Sequence, residues 1–89
     1  MVKENKKHFV YIVECADKTF YTGYTNDLKK RLEKHNNGVA SKYTRARLPV
    51  RLVWYSAYRQ LSGALRSEAM IKKLTRNQKE FLLRGECFA

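Results

Sequence analysis

The sequence predicts an α/β domain, with a small, mostly antiparallel sheet covered by helices in the order ββαβαα. Its length of 89 residues is enough for one modest core and therefore for a single domain. Hydrophobic residues make up 44% and charged residues 30%, which is typical of a globular chain. Short runs of β-branched and aromatic residues alternate with segments that carry helix-capping signals. We expect one domain over residues 1–89, with its core at about residues 8–84.

The first two predicted strands form a hairpin. Residues 8–15 are rich in β-branched and aromatic side chains, which favour an extended backbone. Residues 16–18, Ala-Asp-Lys, have the character of a turn. Residues 19–24 then return as the second strand.

The length of this turn decides which faces of the sheet two tyrosines occupy. A three-residue turn pairs Cys15 with Thr19, and Val13 then lies opposite Tyr21. Because side chains alternate between faces along a strand, Tyr11 and Tyr21 share a face in that register. A two-residue turn places the two tyrosines on opposite faces.

The middle of the chain supplies a helix and a third strand. Asp27 is a favourable N-cap for a helix over residues 28–36, because its carboxylate accepts a hydrogen bond from the first turn. Residues 39–49 are predicted to be a polar, basic loop. Residues 50–58 form the third strand, and their mixed apolar pattern predicts burial on both faces.

Two further helices complete the predicted fold. One opens at residues 60–62 and runs to about Leu74. Thr75 and Gln78 have the spacing of a capping box at the start of the next helix, which ends at Gly85.

Positive charge is concentrated in one part of the chain. The formal net charge is +11, and residues 34–67 contain seven basic side chains and no acidic one. Such a block predicts a surface that faces phosphates, although many small proteins are simply basic. Tyr43 lies in this block, where an aromatic ring can stack on a base. The candidate contacts to nucleic acid are Lys34, Lys42, Tyr43, Arg45, Arg47 and Lys72.

The composition also bounds the compartment. The longest apolar run, residues 9–13, is too short to span a bilayer, so no membrane partner is expected. Cys15 and Cys87 are the only cysteines, and two cysteines without clustered histidines form neither a zinc site nor a disulfide scaffold. We expect reduced thiols in a cytoplasmic protein.

The first helix places two polar groups beside its apolar stripe. Arg31 and His35 lie one turn apart at the border of that stripe, so they point at the edge of the sheet. The ordinary alternative is a flanking arginine whose stem covers apolar surface.

Glu68 is a carboxylate at an unexpected place, on the apolar face of a predicted helix. Helical geometry places it on the same face as four apolar side chains, Leu61, Ala64, Leu65 and Ile71. A buried carboxylate needs a cation or a raised pKa. The spacing leaves two partners open, which are Lys72 one turn further on and a divalent metal held by oxygen ligands.

Four short segments then occur in order along the chain. Residues 10–12, Val-Tyr-Ile, are followed by residues 21–23, Tyr-Thr-Gly. The helix of residues 27–36 comes next, and residues 64–68 follow later. Together, over residues 8 to about 80, they resemble the GIY-YIG nuclease family, especially its small single-domain bacterial members.

This resemblance implies a three-stranded antiparallel sheet with flanking helices and a site on one surface of the sheet. It also implies hydrolysis of a phosphodiester with one Mg²⁺ or Mn²⁺, weakly held without substrate. Glu68 would bind that metal, and Arg31 would stabilise charge on the scissile phosphate. Tyr21 would be the general base and Tyr11 an orienting group.

Two further positions follow from the same resemblance. His35 would assist proton transfer or hold the phosphate. Asn77 is the nearest match to an asparagine that some members place after the glutamate.

Two functions from different classes remain open at this point. The leading hypothesis is a metal-dependent DNA endonuclease of low sequence specificity, acting also on branched or nicked structures. The alternative is a non-catalytic nucleic-acid-binding module with the same fold. No appended DNA-binding domain is recognised, which leaves open a homodimer or a partner protein that supplies specificity.

Overall fold

The computed structural model describes residues 6–85, which form three strands and four helices around one antiparallel sheet with the strand order β2-β1-β3. The elements are β1 (His8–Glu14), β2 (Phe20–Thr25), α1 (Leu28–Asn36), α2 (Lys42–Arg45), β3 (Arg51–Tyr58), α3 (Leu61–Lys72) and α4 (Arg76–Leu83). The predicted sheet, helices and element order are confirmed with one addition. The segment predicted as a loop, residues 39–49, contains the helical turn α2.

The hairpin has the register that the three-residue turn predicts. The backbone N–H of Cys15 donates to the carbonyl of Thr19 at 2.8 Å, and Lys18, the last turn residue, has a φ of 72°. A turn of this length commonly ends in a left-handed residue. Val13 therefore lies opposite Tyr21, which puts Tyr11 and Tyr21 on the same face of the sheet.

The sheet separates two apolar clusters. On one face Tyr11 and Val13 pack with Leu28 and Leu32 of α1. On the other face Val10, Ile12 and partly buried residues of β3 pack with α3 and α4. The helix α1 thus covers the face that carries the two tyrosines.

The prediction that β3 is buried on both faces was wrong. Its residues are half-buried or exposed, because those that pack on the two apolar clusters lie at the periphery of each cluster rather than at its centre. Its register against β1 shifts between Ile12 and Val13, since Trp54 lies opposite Ile12 and Leu52 lies opposite Val13. Val53 is the extra residue of this bulge, which lets Leu52 and Trp54 pack on opposite faces.

The helix starts follow the capping residues. The Asp27 carboxylate accepts a hydrogen bond from the Lys30 backbone N–H at 3.1 Å. Thr75 and Gln78 form the predicted capping box at the start of α4. Both helices therefore begin where the side-chain chemistry predicts.

The apolar face predicted for α3 was only half right. Ala64 and Ile71 are buried, whereas Leu61 and Leu65 are each almost half exposed. The buried stripe is therefore rotated away from the predicted one, and Glu68 lies at its border rather than at its centre.

Two expectations about cysteines and membranes can be set against the structure. Cys15 is buried and is a free thiol. Cys87 lies outside the described residues. Within residues 6–85, no helix is both long and apolar enough to cross a membrane.

Candidate active site

The centre of the site is a buried hydrogen-bonded chain that starts at Tyr11. His35 is 1% exposed, and its Nδ1 lies 2.8 Å from the hydroxyl of Thr44. That hydroxyl donates to the carbonyl of Ser41 at 3.4 Å, so it accepts from the His35 Nδ1–H. The Nε2 of His35 is then the acceptor for the Tyr11 phenol, at 2.7 Å. Both ring nitrogens are thus occupied.

Gly23 makes room for the Tyr11 ring. The two residues are paired across β1 and β2. A Cβ atom on Gly23 would lie 2.5 Å from the Tyr11 hydroxyl and 2.7 Å from Cζ, which is far inside contact distance. The phenol reaches His35 because residue 23 has no side chain.

Tyr21 stands beside this chain without joining it. Its ring meets the His35 ring edge-on at 5.5 Å and stacks on the Tyr43 ring at 6.0 Å. Among residues 6–85, no hydrogen bond holds the Tyr21 hydroxyl. This phenol is therefore positioned by its ring contacts while its oxygen stays available.

The charges of Arg31 and Glu68 both act on the Tyr11 phenol. Burial raises the pKa of Tyr11 well above its usual value, and Tyr21 and Glu68 raise it further, while the Arg31 guanidinium acts in the opposite direction. Burial lowers the pKa of His35, and Arg31 lowers it further. Tyr11 and His35 are consequently neutral at neutral pH.

Arg31 lines a narrow crevice with Tyr11 and His35. Within the described chain it makes no ion pair. Its charge is therefore not neutralised by a neighbouring carboxylate.

Glu68 comes to the same region from α3. Its carboxylate is 18% exposed and lies 3.2 Å from the Lys72 ammonium, which is the i,i+4 pair that the spacing allowed. No group of three His, Cys, Asp or Glu side chains within residues 6–85 is placed to hold a metal. A lone, partly exposed carboxylate still fits Mg²⁺, which keeps several of its waters when protein ligands are few.

The candidate contacts to nucleic acid lie on and around α1, α2 and α3. Lys34, Lys42 and Arg45 are exposed. Arg47 already makes contacts within the protein. Its guanidinium donates to the Asp17 carboxylate at 3.0 Å and lies 3.9 Å above the Tyr43 ring.

Two of the predicted site residues, Lys72 and Asn77, are not free members of the Tyr11 cluster. Lys72 is paired with Glu68. Asn77 is exposed on the first turn of α4 and, among residues 6–85, makes no hydrogen bond to another candidate residue.

Thr44 is the site residue that the sequence analysis missed. It is fully buried in α2, where Ser41 caps the helical turn by accepting from two backbone N–H groups. The serine cap was a usable sequence signal for this turn. The contact between Thr44 and His35 depends on the tertiary fold, and no local pattern encodes it.

Comparison with known proteins places this geometry in a family. A model of the GIY-YIG catalytic domain matches residues 7–80 of the chain. The chain belongs to the GIY-YIG family. The resemblance seen in the motifs is thereby confirmed.

Relatives within the GIY-YIG family are small bacterial proteins. The UPF0213 protein SpyM50708 of Streptococcus pyogenes serotype M5 is 56% identical over 75 residues, which cover 83% of this chain and 82% of the relative. The solution structure of the UPF0213 protein BH0048 from Bacillus halodurans is 47% identical, with a TM-score of 0.58, over 86% of this chain and 82% of that one. The solution structure of EF2693 from E. faecalis is 40% identical, with a TM-score of 0.62, over 94% and 90%.

Membership of the GIY-YIG family indicates a general class of function. Nucleases of this family act on nucleic acid and generally use divalent metal ions.

Proposed function

We propose that this protein is an endonuclease that hydrolyses phosphodiester bonds of DNA with a divalent cation and with low sequence specificity. The observation that carries the proposal is the grouping of Tyr11, Tyr21 and His35 on one sheet face, within electrostatic reach of Arg31 and Glu68. Hydrolysis of a phosphodiester needs a cation at the developing negative charge and a group that accepts the proton of water. The grouped side chains supply both.

Arg31 is the group that we assign to the scissile phosphate. Its guanidinium is permanently charged and offers a planar set of donors that matches phosphate oxygens. The absence of an ion pair at Arg31 within residues 6–85 supports this role, because no carboxylate competes with the phosphate.

We assign the two tyrosines different roles. The oxygen of Tyr21 is free to orient the attacking water and, as the phenolate, to accept its proton. Tyr11 is not available as a base, because burial raises its pKa and so keeps it protonated at neutral pH, and its phenol already donates to His35. Tyr11 and His35 therefore act as a rigid support for the reacting groups. The burial of His35 and the occupation of both its nitrogens argue against direct contact with phosphate.

Glu68 is the residue that would hold the metal, Mg²⁺ or Mn²⁺. When bound, such an ion supplies positive charge that stabilises the phosphate oxygens during hydrolysis. With one protein ligand, we expect weak binding of the ion in the absence of DNA. Lys72 would have to move away from the carboxylate when the ion binds.

The ion pair between Glu68 and Lys72 also favours a second candidate function. If that pair is the whole role of Glu68, the protein is a nucleic-acid-binding module on the same fold, and its basic surface would bind without turnover. Binding that is steeply weakened by salt is expected of both candidates, so only turnover separates them.

A substrate panel with a metal titration tests the proposal. Linear, nicked and branched DNA and an RNA of the same sequence are incubated with Mg²⁺ or Mn²⁺ and scored for strand cleavage, with EDTA as the control. We expect metal-dependent cleavage of DNA. Salt-dependent binding without cleavage of any substrate would overturn the endonuclease and leave the binding module.

A further inference from the structure

A second cavity adjoins the candidate active site at the outer edge of β2. It measures about 380 Å³ and opens to solvent. Tyr21 lines it, as do Lys72 from the end of α3 and Lys79 from α4. The cavity therefore lies between the tyrosine assigned to the base and the helices α3 and α4.

Lys79 gives this cavity its charge. It is half-buried, and burial together with the nearby Lys72 ammonium lowers its pKa. Within residues 6–85 no carboxylate pairs with Lys79, whereas Lys72 is held by Glu68. A partly desolvated ammonium without a counter-ion is costly, and a bound anion would relieve that cost.

Thr22 adds a backbone donor to the same cavity. Cys15 and Thr19 form a hydrogen-bonded pair, and such pairs alternate along a hairpin, so the Thr22 N–H points away from β1.

We propose that this cavity is a second phosphate subsite, in which Lys79, Lys72 and Thr22 bind a backbone phosphate that neighbours the one cleaved. The inference rests on the proposed endonuclease function and extends it by giving the path of the strand, from Arg31 past Tyr21 to α4. Two lysines from different helices and a backbone N–H of an edge strand then converge on one anion. The partner is a nucleic-acid backbone, read without regard to sequence.

The test is the salt dependence of DNA binding by Lys79→Ala. Fluorescence anisotropy with a labelled duplex, in EDTA so that no hydrolysis occurs, gives the slope of log K against log salt. Each phosphate contact contributes about 0.9 to that slope, so we expect Lys79→Ala to reduce it by about that amount. Lys73→Ala is the matched control, because Lys73 is exposed and lies outside the cavity.

The outcomes separate the subsite from the endonuclease. A smaller slope for Lys79→Ala, restored by Lys79→Arg, supports the subsite even if no substrate is cleaved. Equal slopes for Lys79→Ala and Lys73→Ala overturn it, even if the wild type cleaves DNA. Circular dichroism of each variant shows that a change in slope does not come from unfolding.

Discussion

Tyr11 and His35, 24 positions apart in the sequence, are joined by a buried hydrogen bond of 2.7 Å between the sheet and α1. Thr44 holds the other side of the imidazole. The chain Tyr11–His35–Thr44 fixes one tautomer of a neutral histidine and one orientation of a phenol. The face of the sheet that carries Tyr11 and Tyr21 is therefore built around a hydrogen-bonded support that stays neutral at neutral pH.

The two tyrosines should respond differently to loss of the hydroxyl. Tyr21→Phe should lower kcat about 10²–10⁴-fold, the contribution of a general base, and leave the free energy of unfolding unchanged. Tyr11→Phe should lower the free energy of unfolding by about 1 kcal/mol in addition to lowering kcat, because the Nε2 of His35 loses its hydrogen-bond donor. Cleavage kinetics and urea unfolding of both variants check this. A Tyr21→Phe variant with full activity would contradict the assignment of the base.

Thr44 should contribute to stability through its hydroxyl. Thr44→Val keeps the shape of the side chain but leaves the His35 Nδ1–H buried without an acceptor, which should cost about 1–3 kcal/mol. Thr44→Ser, the control, keeps the hydroxyl and should be affected much less. Urea unfolding measures both, and equal losses for valine and serine would mean that packing, and not the hydrogen bond, is what matters.

Gly23 and Gly63 provide a matched pair of glycines. A Cβ on Gly23 would collide with the Tyr11 phenol, whereas one on Gly63 would lie 3.7 Å from Tyr58, an ordinary contact. Gly23→Ala should therefore cost about 1–3 kcal/mol and displace the phenol from His35. Gly63→Ala, inside α3, should stabilise the protein by about 0.5–1 kcal/mol. Thermal unfolding of the two variants distinguishes these effects, and a neutral Gly23→Ala would show that the ring position is not tight.

Stability should fall in mild acid because of His35. Its pKa is lowered in the folded protein by burial and by Arg31, so below about pH 6.5 the unfolded chain binds a proton that the folded one does not. The free energy of unfolding should therefore decline as pH falls from that value toward the folded-state pKa. Urea unfolding across the usual titration range of histidine, about pH 5–8, measures the decline.

His35→Gln should remove this part of the pH dependence. His8→Gln is the control, since His8 lies outside the Tyr11–His35–Thr44 chain and bonds to Tyr24 instead. The same decline in the His35→Gln variant would assign the effect to other groups.

Much of the fold could be predicted from local rules. The shared face of Tyr11 and Tyr21 follows from the length of one turn and the alternation of side chains. The helix starts at Asp27 and Thr75 follow from capping chemistry. These features depend on residues that are close together in the chain, and for that reason they can be predicted from the sequence.

What could not be predicted depends on contacts between distant segments. The turn α2 has only four residues and no apolar period. Its Thr44 is buried where the tertiary fold brings it against His35, nine positions earlier in the chain. The bulge at Val53 and the exposure of Leu65 likewise depend on how the sheet and α3 pack. The Glu68–Lys72 pair was one of two open alternatives, and helical spacing could not choose between them.

The most direct test of the central claim is metal-dependent cleavage of a branched DNA by the wild type, Arg31→Ala and Glu68→Gln. The account predicts that each substitution lowers kcat about 10²–10³-fold, because each removes charge stabilisation at the phosphate. Lys30→Ala, exposed on α1, is the control and should cleave normally. Cleavage that survives both Arg31→Ala and Glu68→Gln would contradict the assignment of this site.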